Sequence, residues 1–430
     1  MLPKMKLAGI LLLFITMIGS TKVAASSNLQ VLIDQAKAGE TVIIPSGTYT
    51  GSISIKKPLT IIGQDKVKIK ADGETPAIII KNKGVTVKNI NVENRTSDYA
   101  IYVTGSHHSL QNVTVKTARI GIRLNEASHI EINGAKVTGL PGAEEVGNGI
   151  DLYRSNHNVI TNNKVNYIRD GIYLEYSTAN KIIGNQITHS RYGLHFMYTE
   201  DNIVQNNTLS DNHTGSMIMV SYNELYENNY LLKNRKNVNS QGLYLYDVHD
   251  STFKDNHIND NRIGIMIDNS FTNKIQHNEF QGNALGIIFK QSTDNSILNN
   301  DFKINVTTIL TYGDGSNQNK LYGNYWDNQQ GLDVNGDSFS DLKVIADPYF
   351  IEITDKNSAF QLLFQSPGMM LMEKLFKSEE NQLVKDVSPA MKPNRQQEQT
   401  KTLNQGIMYI SILFILSSII FYLMGRKKLQ

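Results

Sequence analysis

The sequence lacks several features whose absence limits what this protein can do. It has no cysteine in 430 residues, which excludes disulfides, thiolate metal sites and iron–sulfur clusters and leaves the redox compartment unread. Its formal net charge is only +2, with a pI of about 8.3 and no basic stripe, which argues against nucleic acid as a partner. It also contains no nucleophile or zinc motif, Walker A loop or dinucleotide-binding loop. The remaining evidence lies in a repeat.

A unit of 22 residues recurs along the middle of the chain. Most copies open with a glycine and an alternating strand, as at Gly149, Gly171, Gly193, Gly264 and Gly286. A fixed period built from period-2 strands predicts an all-β fold, a right-handed single-stranded parallel β-helix with coils of ~22 residues. An asparagine falls 14 residues after each glycine, at Asn163, Asn185, Asn207, Asn229, Asn256, Asn278 and Asn300.

This recurring asparagine predicts a ladder inside the solenoid. A buried amide is costly unless its hydrogen-bond partners recur, and stacked Asn side chains of successive coils supply them. The apolar residues one and three positions after each glycine then form a dry column of Ile, Leu and Phe. Because coils stack about 4.8 Å apart, each buries its apolar face only against its neighbours, and both ends need caps.

Composition divides the chain into segments. Residues 1–25 carry two lysines before an apolar run, which is typical of a signal peptide, and residues 26–52 form an N-terminal cap with a helix predicted over 29–37. The β-helix is predicted over residues 53–350, with Trp326, the only tryptophan, closing its core. Residues 351–380 read as amphipathic pre-membrane helices, and residues 381–405 as a linker rich in Pro, Gln and Lys.

The C-terminal residues predict a membrane anchor. Within residues 406–425, an uncharged apolar run of 18 residues (407–424) would be about 27 Å long as a helix, enough to cross a bilayer. The tail 426–430 begins with three basic residues, and positive charge marks the cytoplasmic side. We therefore expect the bulk of the chain to be secreted across the membrane and anchored there by a C-terminal transmembrane helix.

Two repeats are longer than the rest. Gly121 to Gly149 spans 28 residues and Gly215 to Gly242 spans 27. The extra residues, 141–145 and 233–236, both fall before the next glycine and therefore protrude at the same corner of the coil. Side loops on a solenoid often mark its binding face.

The outward positions of the glycine-led strands form a candidate metal site. The second and fourth residues after each glycine point outward. They place His195 and Met197 over Met217 and Met219, with Met266 beyond. Thioether and imidazole donors form a soft set that favours Cu(I), although exposed Met and Tyr also suit a protein interface. The other histidines share no repeat position and are predicted to be turn or surface residues.

A pair of carboxylates on the same face suggests a different function. Asp151 and Glu175 lie at diagonal positions on adjacent coils, at about the 6.5–9.5 Å separation used by inverting glycosidases. Neighbouring tyrosines (Tyr153, Tyr173 and Tyr176) could stack on sugars. A solvated charge pair on a β-face explains the same two residues without any catalysis.

A possible calcium loop follows the solenoid. Oxygen ligands stand at alternating positions in Asp333, Asn335, Asp337 and Asp341. Ser338 replaces the glycine expected at the sharp turn, and no glutamate stands at the twelfth position. A polar hairpin fits these residues equally well, so Ca²⁺ is a structural possibility here beside Cu(I) on the other face.

Several segments resemble one family of maturation proteins. The strand Gly-Leu-His-Phe-Met-Tyr-Thr (193–199), the cap at 39–51, Asn-Tyr-Trp (324–326), Ser-Pro (366–367) and residues 386–393 are similar to NosD, the nitrous oxide reductase maturation protein. The resemblance covers residues 28–393. It implies a protein that acts outside the cytoplasm with an ABC transporter permease and ATPase and a copper chaperone. It also implies a role in assembling the copper–sulfide centre of nitrous oxide reductase. The C-terminal membrane helix departs from the soluble periplasmic members.

Together these features predict a membrane-anchored, non-enzymatic accessory protein of an ABC transporter. The pre-membrane helices (359–376) would contact the permease, and the His/Met face would receive or pass Cu(I). A cell-surface polysaccharide-modifying enzyme of the lyase or epimerase type is the main alternative. A purely structural adhesin is the third.

Overall fold

The computed structural model describes residues 26–142, 146–312, 315–346, 368 and 383–395. Over these residues the chain forms an all-β right-handed parallel β-solenoid of about 13 turns, as predicted. Its one α-helix, Ser26–Gln35, lies at the N-terminal end, and a short 3₁₀ helix spans Ser316–Gln318. The predicted signal peptide, transmembrane helix and all but one residue of the predicted pre-membrane helices lie outside the described residues. None of the helices described has the length and apolarity needed to cross a membrane.

Three parallel sheets run along the solenoid, and each coil contributes one strand to each sheet. Sheet A consists of Thr41–Ile44, Thr60–Gly63, Thr86–Lys88, Ser109–Gln111, Glu131–Asn133, Val159–Thr161, Lys181–Ile183, Ile203–Gln205, Leu225–Glu227, Thr252–Lys254, Lys274–Gln276, Ser296–Leu298, Lys320–Tyr322, Val384–Asp386 and Val344–Ala346. Sheet B consists of Gly47–Thr50, Val67–Lys70, Asn91–Asn94, Thr114–Thr117, Lys136–Gly139, Lys164–Asn166, Gln186–Thr188, Thr208–Ser210, Tyr230–Leu232, His257–Asn259, Glu279–Gln281, Asp301–Lys303 and Tyr325–Trp326. Sheet C consists of Ile53–Ile55, Ile78–Ile80, Tyr99–Ser106, Ile120–Ser128, Ile150–Tyr153, Asp170–Glu175, Tyr192–Glu200, Thr214–Tyr222, Gln241–His249, Ile263–Asp268, Leu285–Lys290 and Thr307–Tyr312.

The repeating glycine permits close packing between coils at the start of each sheet C strand. A Cβ atom on Gly171 would lie 2.3 Å from Ile187 and 2.5 Å from the carbonyl oxygen of Gly193. The position therefore has no room for any larger residue. The apolar residues one and three positions further along point inward; Ile172, Leu174 and Phe196, for example, are fully buried. This is the predicted dry column.

The predicted asparagine ladder is present with the expected hydrogen bonds. In each rung the side-chain amide donates to the Oδ1 of the next rung, at 2.9 Å from Asn185 to Asn207 and 2.9 Å from Asn207 to Asn229. Two further ladders occupy other corners of the coil. One runs through Asn158, Asn180, Asn202, Glu224, Ser251, Asn273, Asn295 and Asn319, and the other through Asn212, Asn234, Asn261, Asn283 and Asn305.

Both ends of the solenoid are closed. The helix Ser26–Gln35 begins three residues before its predicted start and buries Leu29 and Ile33 against the first coil. At the other end Trp326 is buried and stacks on Phe302, with ring centroids 4.3 Å apart. This agrees with the predicted role of Trp326 as the residue that closes the core.

The segment 383–395 differs from the linker predicted over residues 381–405. Its strand Val384–Asp386 joins sheet A, antiparallel to Val344–Ala346. The buried carboxylate of Asp386 accepts hydrogen bonds from the Asn324 side chain at 2.9 Å and the Trp326 indole at 3.1 Å, and so ends the asparagine ladder. Further along, the backbone N–H groups of Asn394 and Arg395 donate to Asp301 on sheet B. These buried polar partners, invisible in the composition, hold the segment on the solenoid.

Candidate metal site on sheet C

The outer face of sheet C carries the predicted columns in register. Its second-position column aligns Tyr173, His195, Met217, Tyr244 and Met266 in successive strands. Its fourth-position column aligns Glu175, Met197, Met219, Tyr246 and Asp268 in the same strands. His195 and Met197 therefore lie directly beside Met217 and Met219 on the next coil.

His195 is held by a carboxylate from the preceding coil. Its Nδ1 atom lies 2.9 Å from Asp170 Oδ2. The same carboxylate receives two hydrogen bonds from the Arg191 guanidinium, at 2.9 and 2.6 Å. Burial alone would raise the pKa of Asp170, but the hydrogen bonds from His195 and Arg191 outweigh it and hold the pKa below its usual range. Asp170 is thus an anion that fixes the imidazole.

This contact determines which nitrogen of His195 can bind a ligand. An ionised carboxylate only accepts hydrogen bonds, so Nδ1 carries the proton and Nε2 carries the lone pair. Nε2 is buried and has no hydrogen-bond partner among the described residues. A histidine ligand whose other nitrogen donates to a carboxylate is the usual arrangement in protein metal sites. The ring is therefore oriented as a nitrogen donor.

The surroundings of His195 are aromatic and sulfur-rich. The rings of Tyr173 and Tyr192 lie 4.8 and 5.0 Å from the imidazole, centroid to centroid. His195 and Met217 are each only 8% exposed, whereas Met197 and Met219 are half-buried. The Tyr173 hydroxyl lies 3.5 Å from the sulfur of Met197. Burial, followed by the charge of Glu175, raises the pKa of Tyr173, so the phenol stays neutral. A soft cation would lose little hydration competition here, since water has little access.

Met266 does not join this group. Tyr244 stands between Met217 and Met266 in the column, so Met266 is two coils away from Met217. The Tyr244 hydroxyl donates to Asp268, 3.1 Å away, which also binds Lys290. Of the five residues predicted to bind copper, the structure brings together His195, Met197, Met217 and Met219.

Asp170 and Arg191 escaped prediction from the sequence. They lie just before the glycines of their coils, and the equivalent residues of neighbouring coils are chemically unlike: Asp170 aligns with Tyr192, and Tyr192 with Thr214. A search for repeated chemistry passes over such a column. The available signal was the charged residue next to Gly171, one coil before the predicted histidine.

The carboxylates of the alternative enzymatic site are diagonal neighbours, because Asp151 aligns with Tyr173 and Tyr153 with Glu175. Asp151 is not solvated, unlike the charge pair of the non-catalytic reading. It is buried and bound by the Arg123 guanidinium and by Asn148 at 2.9 Å. Burial raises the pKa of Asp151, although Arg123 opposes this effect. A buried carboxyl with a raised pKa is a plausible proton donor.

The possible calcium ligands form an exposed loop of backbone turns. The Asp333 carboxylate accepts hydrogen bonds from the N–H groups of Gly336, Asp337 and Ser338. Asp341 accepts one from Val334, 2.8 Å away. These contacts are those of a polar turn. Within the described ranges, no three His, Asp or Glu side chains gather as ligands around one point. A metal on this chain would therefore rely on other donors, such as the sulfurs beside His195.

The fold and the soft donor face define a class, a right-handed parallel β-helix with a histidine–methionine surface. The family model NosD, described as periplasmic copper-binding protein, matches residues 131–340, just under half of the chain. The predicted resemblance is confirmed, and the chain is a NosD-type β-helix protein. The matched region includes every residue of the candidate copper site. No curated protein matches the chain.

Solved structures share the fold at low sequence identity. The family 28 exopolygalacturonase of Yersinia enterocolitica has a TM-score of 0.54 at 12% identity, covering 72% of this chain and 76% of that one. PfbA, a surface adhesin of Streptococcus pneumoniae, has a TM-score of 0.57 at 14% identity, covering 73% and 93%. The catalytic domain of a GH87 α-1,3-glucanase has a TM-score of 0.57 at 16% identity, covering 72% and 68%. At these identities the likeness concerns the fold alone.

Proposed function

We propose that this protein is an extracytoplasmic, membrane-anchored accessory protein that holds Cu(I) transiently on sheet C. In this role it serves an ABC transporter and the maturation of nitrous oxide reductase, and it catalyses no reaction itself. One observation carries the proposal: the buried, unpartnered Nε2 of His195, which faces away from Asp170 on a strand adjoining Met217 and Met219. The copper-related description of the matching family supports the same chemistry.

The proposed site would bind copper through a small set of residues. His195 would supply one nitrogen, and Met217 with Met197 or Met219 would supply thioether sulfur. Neutral soft donors stabilise Cu(I) over hard cations such as Mg²⁺ or Ca²⁺. Half-buried methionines at the rim would allow the ion to pass to a copper chaperone or to the reductase. Copper is cargo in this proposal rather than a resident cofactor.

The C-terminal end of the solenoid is the proposed contact with the transporter. Large apolar side chains are exposed there rather than along the coils of the copper site: Ile304, Val306, Leu332, Val334, Leu342, Ile345 and Val387. Exposed apolar side chains gathered at one end suit a protein or membrane contact. The same end would lie nearest the predicted anchor, and the predicted helices 359–376 would add to the contact with the permease.

Cu(I) titration of the full chain tests the copper role. The comparison is a variant with His195, Met197, Met217 and Met219 changed to Ala, with a control in which Met266 and His277 are changed to Ala. We expect Cu(I) affinity to fall in the first variant and to stay unchanged in the control. Equal affinity in all three proteins would refute Cu(I) handling on sheet C while leaving the transporter role open. Co-purification of the permease tests that second role.

The alternative is a polysaccharide-modifying enzyme on the neighbouring coils. The observation in its favour is the buried carboxyl of Asp151, with a raised pKa, beside Arg123 and diagonal to Glu175. Turnover of uronate polymers by the wild-type chain, lost in Asp151→Ala or Glu175→Ala, would establish it. Absence of turnover would leave the copper proposal as the working function.

A further inference from the structure

Three histidines outside the proposed copper site stand above one another on a single corner of the solenoid. His107, His129 and His157 occupy the same turn position in three successive coils, between sheet C and sheet A. Their rings stack, with centroids 4.8 Å apart for His107 and His129 and 5.4 Å apart for His129 and His157. The prediction that these histidines share no repeat position was wrong. Irregular coil lengths had hidden the alignment.

The backbone at this corner does not require histidine. All three residues have φ between 56° and 58°, the left-handed region that Asn, Asp and His tolerate better than other non-glycine residues. Later coils fill the same position with Asp201, Asn223 and Asp250. Any of these polar residues satisfies the turn, so the run of three imidazoles calls for another explanation.

The ring nitrogens of this histidine ladder (His107, His129 and His157) are free to bind a ligand. All three side chains are exposed. No hydrogen bond joins any of the three rings to another part of the chain that the structure describes. Other histidines are engaged: His108 bonds to backbone, and His257 bonds to Glu279 at 2.8 Å.

We propose that the histidine ladder is a second metal site, which binds one divalent ion of the imidazole-preferring class, with Cu(II) foremost. Neutral imidazole suits Cu, Ni and Zn, and Cu(II) binds such sites most tightly among the divalent ions. Nitrogens bound to one ion at about 2.0–2.1 Å lie within roughly 4 Å of each other. Stacked rings 4.8–5.4 Å apart reach that separation by a small tilt, which exposed side chains make at little cost. His129 would be the central ligand. This site does not depend on the proposed function, because its donors and its preferred oxidation state both differ from those on sheet C.

Cu(II) titration of the full chain, followed by electron paramagnetic resonance, tests the proposal. The variants are His129→Asn and the triple change of His107, His129 and His157 to Asn, since asparagine preserves the left-handed turn. The control is His277→Asn, which removes an exposed histidine of the same backbone conformation (φ 54°) from another corner. Thermal unfolding of each variant checks that the fold is intact.

We expect the wild-type chain to bind one Cu(II) with hyperfine coupling to imidazole nitrogens. His129→Asn should weaken this binding by about a hundredfold or more, beyond the roughly 10–100-fold cost of losing a residue that only orients a ligand. His277→Asn should leave it unchanged. A triple variant that folds and binds Cu(II) with wild-type affinity and spectrum would overturn the proposal. Cu(I) binding, measured in parallel, should be the same in the triple variant as in wild type, which separates this result from the outcome on sheet C.

Discussion

The Asp170 carboxylate and the His195 imidazole meet at 2.9 Å although 25 residues separate them. They belong to adjacent coils, and the register of sheet C brings them together, since Asp170 aligns with Tyr192 three residues before His195. The contact fixes the tautomer of His195 and leaves Nε2 free. It makes Asp170 a positioning residue for the proposed Cu(I) site and gives that site a property that can be tested by itself.

Replacing Asp170 by Asn should weaken Cu(I) binding without abolishing it. The amide can still contact Nδ1, but it no longer fixes the proton there or raises the basicity of Nε2, so we expect about 10–100-fold lower affinity. Competition titration with a Cu(I) chelator measures the change. Asp268→Asn is the matched control, because Asp268 is also a buried carboxylate on sheet C, paired with Lys290 and Tyr244. Wild-type affinity in Asp170→Asn would show that the contact serves only the fold.

Met217→Leu and Met266→Leu should differ in their effect on copper. Both changes conserve volume and should cost less than about 1.5 kcal/mol of stability. Met217 adjoins His195 in the column, whereas Tyr244 separates Met266 from it. Cu(I) affinity should therefore fall by at least about tenfold, or 1.4 kcal/mol, in Met217→Leu and stay constant in Met266→Leu. Equal losses in the two variants would mean that the site extends over three coils.

Asn207→Leu should destabilise the solenoid strongly. Asn207 lies at the middle of the ladder, and its Oδ1 accepts both the backbone and side-chain N–H of Asn185, each at 2.9 Å. Its amide donates to the Ile182 carbonyl at 2.8 Å. Leucine leaves these buried groups unpaired, at about 1–3 kcal/mol each, so we expect a loss of roughly 3–6 kcal/mol in the free energy of unfolding.

Chemical denaturation followed by circular dichroism measures this loss. Gln186→Leu, at an exposed position next to the ladder residue Asn185, is the control and should change stability by no more than about 0.5 kcal/mol. A loss in Asn207→Leu no larger than that of the control would mean that the ladder adds little beyond the sheets.

The repeat made most of the fold predictable, because a period of 22 residues fixes both the strand register and the faces of each strand. The ladder at Asn163 to Asn300 and the alignment of His195 with Met217 follow from counting alone. What counting misses is chemistry that occurs once. Asp170 has no counterpart in its column, and Asp386 lies beyond the last regular repeat in a stretch of linker-like composition. The histidine ladder was missed for a related reason: its spacing of 22 and then 28 residues follows the inserted loop, not the standard period.

Glu224 provides a pH-dependent test of the ladder that contains it. It replaces asparagine in the ladder running from Asn158 to Asn319 and is only 1% exposed. Burial raises the pKa of Glu224 to about 8, despite hydrogen bonds from Thr199 and Asn202. A carboxyl whose pKa is raised in the folded state stabilises the fold below its unfolded pKa of about 4.3 and loses that contribution as pH rises through the folded value.

The wild-type free energy of unfolding should therefore fall, relative to that of Glu224→Gln, between about pH 4.5 and pH 8, by up to about 1.4 kcal/mol per pH unit. Glutamine cannot ionise, so the variant isolates this one group from the other titrating residues. Denaturation of both proteins at pH 5, 7 and 9 gives the difference directly. A constant difference across that range would mean that Glu224 is ionised in the folded state, with Thr199 and Asn202 stabilising the buried anion.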